Sequence, residues 1–210
     1  ATSVIGFKLM ELARSRGVKV LLNGQGAGEV LAGYPTYFRH YWSALLSQGQ
    51  FARAREEIRE YAAIHGGSST RLLGEAAERI FHSALQGVPG YRQLAAAKRG
   101  KRLSQHRWYR GPILSATPAA LTYGKPSLSQ ELRESVERAP LPLYLRVEDR
   151  NSMASSLEVR LPFLDYRLVS LAFALPDRVK LQGPWNKHLL RESMRGRIPE
   201  IVRTRPDKMG

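Results

Sequence analysis

"VKVLLNGQGAGE", residues 18–29, is the stretch on which the fold turns. Val18, Val20, Leu21 and Leu22 read as a short buried strand. The run ends abruptly in Gly24, Gly26 and Gly28, and Glu29 follows. Glycine at every second position leaves a backbone nearly bare of side chains. Either the turn is merely tight, or something large and electron-rich lies against it. A glycine loop between strand and helix offers backbone N–H groups and the positive end of a helix dipole, which suit a phosphate or a carboxylate. The spacing is neither that of the dinucleotide fingerprint nor that of the Lys-Ser/Thr phosphate loop. Taken alone, it is equally compatible with a plain turn.

Upstream, "TSVIGFKLMELARSRG" places Val4, Phe7, Met10 and Leu12 at helical spacing and stops at Gly17. With a helix starting near Glu29, this order of helix, strand, glycine turn and helix is half of a parallel α/β unit. Downstream the pattern is helical. Phe51, Ala54, Ile58 and Tyr61 form one stripe, and Leu72, Leu73, Ala76, Ile80, Phe81, Ala84 and Leu85 another. "GGSST" (66–70) is a turn between these helices, ending in an N-cap serine. Residues 88–126 hold four prolines and read as an irregular, basic connection. Helices resume at Ser127, which with Gln130 resembles a capping box, and continue through 142–158, 165–176, 186–196 and 199–203. One recognisable strand among eight or so helices is too little sheet for a complete α/β domain. The expected fold is therefore helix-dominated α/β, a single partial domain over 1–210, with further strands before residue 1.

Composition narrows the class. The chain has 210 residues, 43% hydrophobic and 24% charged, as a soluble globular protein would. Its longest apolar run, around "LVSLAFALP", is too short to span a membrane. The start lacks the features of a secretory signal and reads as a cut from something longer. With no cysteine, disulfides and thiolate metal sites are excluded, and a cytoplasmic location is favoured. The net charge of +15 raises the question of nucleic acid, but 25 of the 33 basic residues are Arg, spread through helices beside Glu. The one dense patch is "KRGKRLSQHRWYRG" (98–111), for which a solvated loop is preferred over a nucleic-acid surface.

Two further segments bear on chemistry. In "EVRLPFLD" (158–165), Arg160 sits between Glu158 and Asp165 in apolar surroundings, and a guanidinium there needs carboxylates or a substrate anion. An internal ion pair pinning two helices is the preferred reading, with Asp165 capping the helix that follows. In "GPWNKHLLRE" (183–192), Asn186 reads as an N-cap and Lys187 as a first-turn residue. A cation at that place opposes the helix dipole unless an anion lies between them. The five His residues show no metal-ligand spacing.

In this order, three segments resemble the synthetase domain of glutamine-dependent asparagine synthetases and related amidotransferases: "VKVLLNGQGAGEVLAGY" (18–34), "LRVEDRNSMASSLEVRLPFLDYRLVSLAFALP" (145–176) and "WNKHLLRESMRGRIPEIVRTRPDKMG" (185–210). The resemblance implies part of an adenine-nucleotide-binding α/β domain of the PP-loop ATPase type. It implies adenylation of the aspartate side chain by ATP with Mg2+, then attack by ammonia from glutamine, delivered by an N-terminal glutaminase domain. A homodimer is left open. Asn23, Gly24 and Gly26 fall where the backbone lines the nucleotide site, and Lys187 where a lysine neutralises pyrophosphate and the adenylate. Gln25 falls where well-studied members carry a glutamate thought to act as base, which glutamine cannot do. Glu158, Arg160 and Asp165 belong to an architectural signature, and Asp149, Arg150 and Asn151 to a helix lining the cleft.

The sequence also departs from that pattern. Gly28 replaces an aspartate expected to hold magnesium, with Glu29 the nearest substitute. The Ser-Gly-Gly-x-Asp-Ser pyrophosphate loop and the glutaminase cysteine are absent from these residues. An amide ligase acting on another carboxylate, or an impaired descendant that only binds a nucleotide or partner, are the alternatives.

Overall fold

The strand expected at 18–22 forms over Val20–Leu22 (β1), with Val20 and Leu22 exposed rather than buried, and it pairs in parallel with a second strand, Glu158–Arg160 (β2). The register sets Val20 against Glu158, Leu21 against Val159 and Leu22 against Arg160. The computed structural model describes residues 2–85 and 127–206, together with 88, 90, 91, 93, 94 and 97. Almost all of the connection at 88–126, including the basic patch at 98–111, lies outside the described residues.

In chain order the helices are α1 (Thr2–Ser15), α2 (Ala27–Val30), α3 (Thr36–Ser47), α4 (Phe51–His65), α5 (Ser69–Leu85), α6 (Leu128–Glu137) and α7 (Leu141–Ala154). After β2 and a 3₁₀ turn (Pro162–Leu164) come α8 (Tyr166–Ala174), α9 (Asp177–Lys180), α10 (His188–Ser193) and α11 (Glu200–Arg203). The helix expected to start near Glu29 is two helices. A left-handed Ala32 (φ 57), then Gly33 and Pro35, break it before α3 begins. The helix expected over 142–158 ends at Ala154, because Ser156 turns left-handed (φ 51) and sends a fully buried Leu157 back under α7. That reversal frees residues 158–160 to become β2.

The main core forms around α3, whose Tyr37, Phe38, Tyr41, Trp42 and Leu45 are all buried. Ala54 and Ile58 of α4, Ala76 of α5 and Leu128 and Leu132 of α6 close over them. Phe51 and Phe81, expected on buried stripes, are instead more than 60% exposed. A smaller cluster carries the loop that follows β1: Val30 and Leu31 pack with Ala172 of α8, the 3₁₀ residues Phe163 and Leu164, and Leu189 and Leu190 of α10. Parts far apart in sequence thus meet beneath the glycine turn. Among the described residues, no helix is long and apolar enough to cross a membrane.

Candidate active site at the glycine loop

The glycine loop is braced from below. Asn23 N donates to Arg160 O at 2.9 Å, carrying the parallel ladder one residue past β1, and Asn23 Nδ2 donates to Glu148 of α7. Gly26 has φ +87, and a Cβ there would lie 2.2 Å from Leu164 Cδ2. The Pro162–Leu164 turn therefore presses directly on the loop, and glycine at 26 is required by both backbone and packing. At Gly24 an added Cβ would meet none of the described atoms within 4 Å, so the protein's own packing does not demand glycine there. The loop feeds α2, which is a single turn. The helix-dipole part of the anion argument is correspondingly small, and the loop N–H groups carry what remains of it.

The lysine from the far end of the chain reaches this loop. Lys187 is not in the first turn of its helix but at the N-cap of α10, with φ 48 and ψ 37. Its Cε would lie 2.4 Å from a Cβ added at Gly33, and its Nζ 3.4 Å away. The same added atom would come 2.8 Å from Gly28 Cα, and Gly33 N donates to Gly28 O at 2.7 Å. The aliphatic end of Lys187 thus lies across the glycine turn. Asn186, expected to cap the helix, instead donates from Nδ2 to Gly33 O at 2.8 Å.

Gly28 faces an occupied volume. A Cβ at 28 would approach Tyr34 Cε2 and Cζ to 2.9 Å. Tyr34 Oη in turn donates to Glu29 Oε1 at 2.7 Å, and Glu29 is only 1% exposed. Burial, then this hydrogen bond to the carboxylate, push the Tyr34 phenol far above its ordinary value, so it remains a donor. Glu29 is thus engaged in an internal hydrogen bond. Among the described residues, no group of three or more His, Asp or Glu is placed to hold a metal ion. Two carboxylates stand at the loop, Glu29 and Glu148, each engaged in a hydrogen bond, from Tyr34 Oη and from Asn23 Nδ2.

The remaining expected residues divide. Gln25 is half-exposed beside the loop, and Asp149 and Arg150 are exposed on α7. Asn151 docks α1: its Nδ2 donates to Ser3 O at 3.1 Å. Arg160 is not buried, contrary to the sequence reading. Its guanidinium, about 62% exposed, pairs with Glu158 at 2.7 Å along β2, because the short strand turns both side chains outward. Asp165 joins neither. It caps α8 by accepting from Arg167 N at 2.9 Å, and its carboxylate takes two further bonds from the Arg167 side chain. Those contacts, the guanidinium first and the backbone N–H next, lower its pKa to about 2. The sequence reading missed Glu148, which holds Asn23; it lies inside the quoted "LRVEDRNS", but nothing in helical spacing singles it out from Asp149. A cavity of about 360 Å³ opens beside the Lys187 turn, lined by Glu60, Trp185, His188, Arg191 and Arg203 among others, and the glycine loop is not part of it.

A parallel strand pair ending in a braced glycine loop, with a lysine folded across it, defines a helix-dominated α/β unit consistent with part of a nucleotide-binding domain. More narrowly, the chain belongs to the asparagine synthase family, whose model it matches over residues 1–210. It is 28% identical over 206 residues to "Asparagine synthetase [glutamine-hydrolyzing] 1" of Bacillus subtilis, an alignment covering 90% of this chain and 30% of that protein. It is 40% identical over 55 residues to "Asparagine synthetase [glutamine-hydrolyzing] 3" of the same organism, covering 26% of the chain and 9% of the relative. Against the human asparagine synthetase it is 33% identical over 96 residues, 43% of the chain and 17% of the relative. The chain spans about a third of the length of the curated relatives it matches along most of its own length. No solved structure matches it.

Proposed function

We propose that these residues form part of the aspartate-activating half of a glutamine-dependent asparagine synthetase. In that reaction an aspartate side-chain oxygen attacks the α-phosphorus of ATP, pyrophosphate leaves, and β-aspartyl-AMP forms. Ammonia then attacks the acyl carbon, giving asparagine and AMP. A glutaminase domain N-terminal to these residues supplies the ammonia, and the whole works in the cytoplasm, as a homodimer if the subunits pair. The observation that carries this reading is the seating of Lys187 across the Gly28–Gly33 turn, from opposite ends of the sequence.

The residues divide the work by their chemistry. Departure of pyrophosphate builds negative charge that fixed donors offset without reorganising. The N–H groups of Gly24 and Gly26 supply dipoles, next to Asn23, whose own N–H is held by Arg160 O, and the Lys187 ammonium supplies full charge. Gln25 presents an amide, which orients a substrate group but takes no proton from ammonium. Magnesium accompanies ATP in the reaction this resemblance implies, and Glu29, beside Gly28, is the carboxylate that would hold it.

In the full-length protein, Lys187→Ala is expected to reduce aspartate-dependent pyrophosphate release by at least about a hundredfold, on the scale of losing one principal charge-stabilising donor. Normal release in that variant would remove the reading. Gly28, and the Tyr34 ring packed against it, favour a second reading: a descendant that binds nucleotide without turning it over. The same assay separates the two, because that descendant would bind ATP and release no pyrophosphate with any carboxylate. Amide formation across a panel of carboxylic acids distinguishes aspartate from the substrates of related ligases.

A further inference from the structure

The segment that presents Lys187 is hung from fixed points. Gly183 N donates to Glu57 Oε2 at 2.6 Å, and His65 Nε2 donates to Pro184 O at 2.8 Å. Gln182 and Trp185 close an antiparallel bridge between these points. The entry to the turn is therefore anchored to α4. Its exit, at Asn186 and Lys187, is held by the side chain of Arg191, one turn into α10. Arg191 Nε donates to Asn186 O at 2.9 Å and Nη2 to Asn186 Oδ1 at 3.1 Å, while Nη1 donates to Arg203 O. The guanidinium lies over the Trp185 ring, 5.0 Å from its centroid. All three acceptors are uncharged oxygens, so this half-buried arginine is committed to shaping backbone.

The consequence falls on the asparagine amide. With Oδ1 held by Arg191, the Nδ2 of Asn186 turns to Gly33 O, the residue against which Lys187 packs. Lys187 itself sits at φ 48, a left-handed conformation that a non-glycine residue keeps only when its surroundings over-determine it. Arg191 holds both oxygens of the residue before Lys187, Asn186. A lysine in its place could not span the same three acceptors, because it has a single ammonium and no planar fork.

We propose that Arg191 is a positioning residue that, acting through Asn186, sets the Lys187 ammonium against the Gly28–Gly33 turn. This rests on the role proposed for Lys187. Arg191 does not face the glycine loop and takes no part in bond making; it fixes where the charge stands.

The test uses the full-length protein with two readouts, aspartate-dependent pyrophosphate release and calorimetric binding of inorganic pyrophosphate. Arg191→Met is expected to lower kcat for release by about a hundredfold, the loss that a misplacement of about 1 Å produces, with KM for aspartate unchanged within about twofold. Arg191→Lys is expected not to restore it. Pyrophosphate is expected to bind about tenfold more weakly to Arg191→Met, and no more weakly to Lys187→Ala/Arg191→Met than to Lys187→Ala alone, since the two act through one group. Asn186→Leu, which leaves Arg191 intact, is expected to reproduce the kcat loss and serves if Arg191→Met does not fold. Unchanged kcat in both single variants, a loss confined to KM, or additive losses of binding in the double variant would overturn the proposal. If Lys187→Ala alone leaves release and binding normal, the functional reading fails whatever Arg191 does. If Lys187→Ala is impaired and Arg191→Met is not, only the present inference fails.

Discussion

At the residue scale, glycine serves different ends within one loop. Gly24 has room around it on the protein's side, which leaves space for a ligand to approach the backbone. Gly26 has none: its left-handed φ and the Leu164 methyl 2.2 Å from an added Cβ both exclude a side chain. Gly26→Ala is expected to destabilise the protein by roughly 2–4 kcal/mol, a left-handed penalty plus overpacking, read as a lower midpoint in urea. A midpoint unchanged from wild type would show that the brace is not in contact in solution. Gly28 stands beside Tyr34, so here an aspartate would have to displace a ring already bonded to Glu29. The glycines were visible in the sequence. Which of them answers to a neighbour and which leaves the backbone bare was not, because the neighbour, Leu164, comes from a segment read only as architectural.

At the scale of elements, the helix boundaries carrying local signals were readable and those set by tertiary packing were not. Ser127 caps α6, its Oγ accepting from Gln130 N at 3.3 Å, and Asp165 caps α8, both as their side-chain chemistry predicts. Ser127→Ala is expected to cost about 1 kcal/mol, the usual worth of an N-cap, seen as a small drop in thermal midpoint without loss of fold. No drop would show that α6 draws its start from packing alone. The strand β2 escaped notice for a physical reason. It has three residues, its two outer side chains are charged and exposed, and its existence depends on β1 lying alongside. Lys187 was recognisable by resemblance, yet its true place at a left-handed N-cap was hidden. That geometry comes from Arg191 and Gly33 rather than from any preference of lysine.

At the scale of the whole molecule, acid stability is governed by carboxylates with opposite shifts. Glu57 of α4 is buried against the Gly183 turn, and burial raises its pKa above the ordinary 4.5 despite the hydrogen bond from Gly183 N and the charge of Arg53. Just above 4.5, the folded chain keeps a proton there that the unfolded chain has lost. Stability therefore rises as pH falls toward 4.5 through that window. Asp165 behaves in reverse: with its pKa held at about 2, its contribution is present above the ordinary value near 3.8 and is lost as pH drops toward 2. Denaturation midpoints in urea are expected to climb gently on acidification to about pH 4.5 and fall below about pH 4. Glu57→Gln, which keeps an acceptor for Gly183 N, is expected to abolish the climb and leave the fall. A Gln variant with the climb intact would place its origin elsewhere.

The bond from Asn186 to Gly33 joins residues 153 positions apart. During translation, the first of these therefore leaves the ribosome roughly 8–30 s before the second, at ordinary elongation rates. For that interval the Gly33 carbonyl is without the Asn186 amide, and the two segments are joined only after a long loop has closed. On the role proposed for Lys187, a newborn copy lacks that cation at the glycine turn until α10 has been made.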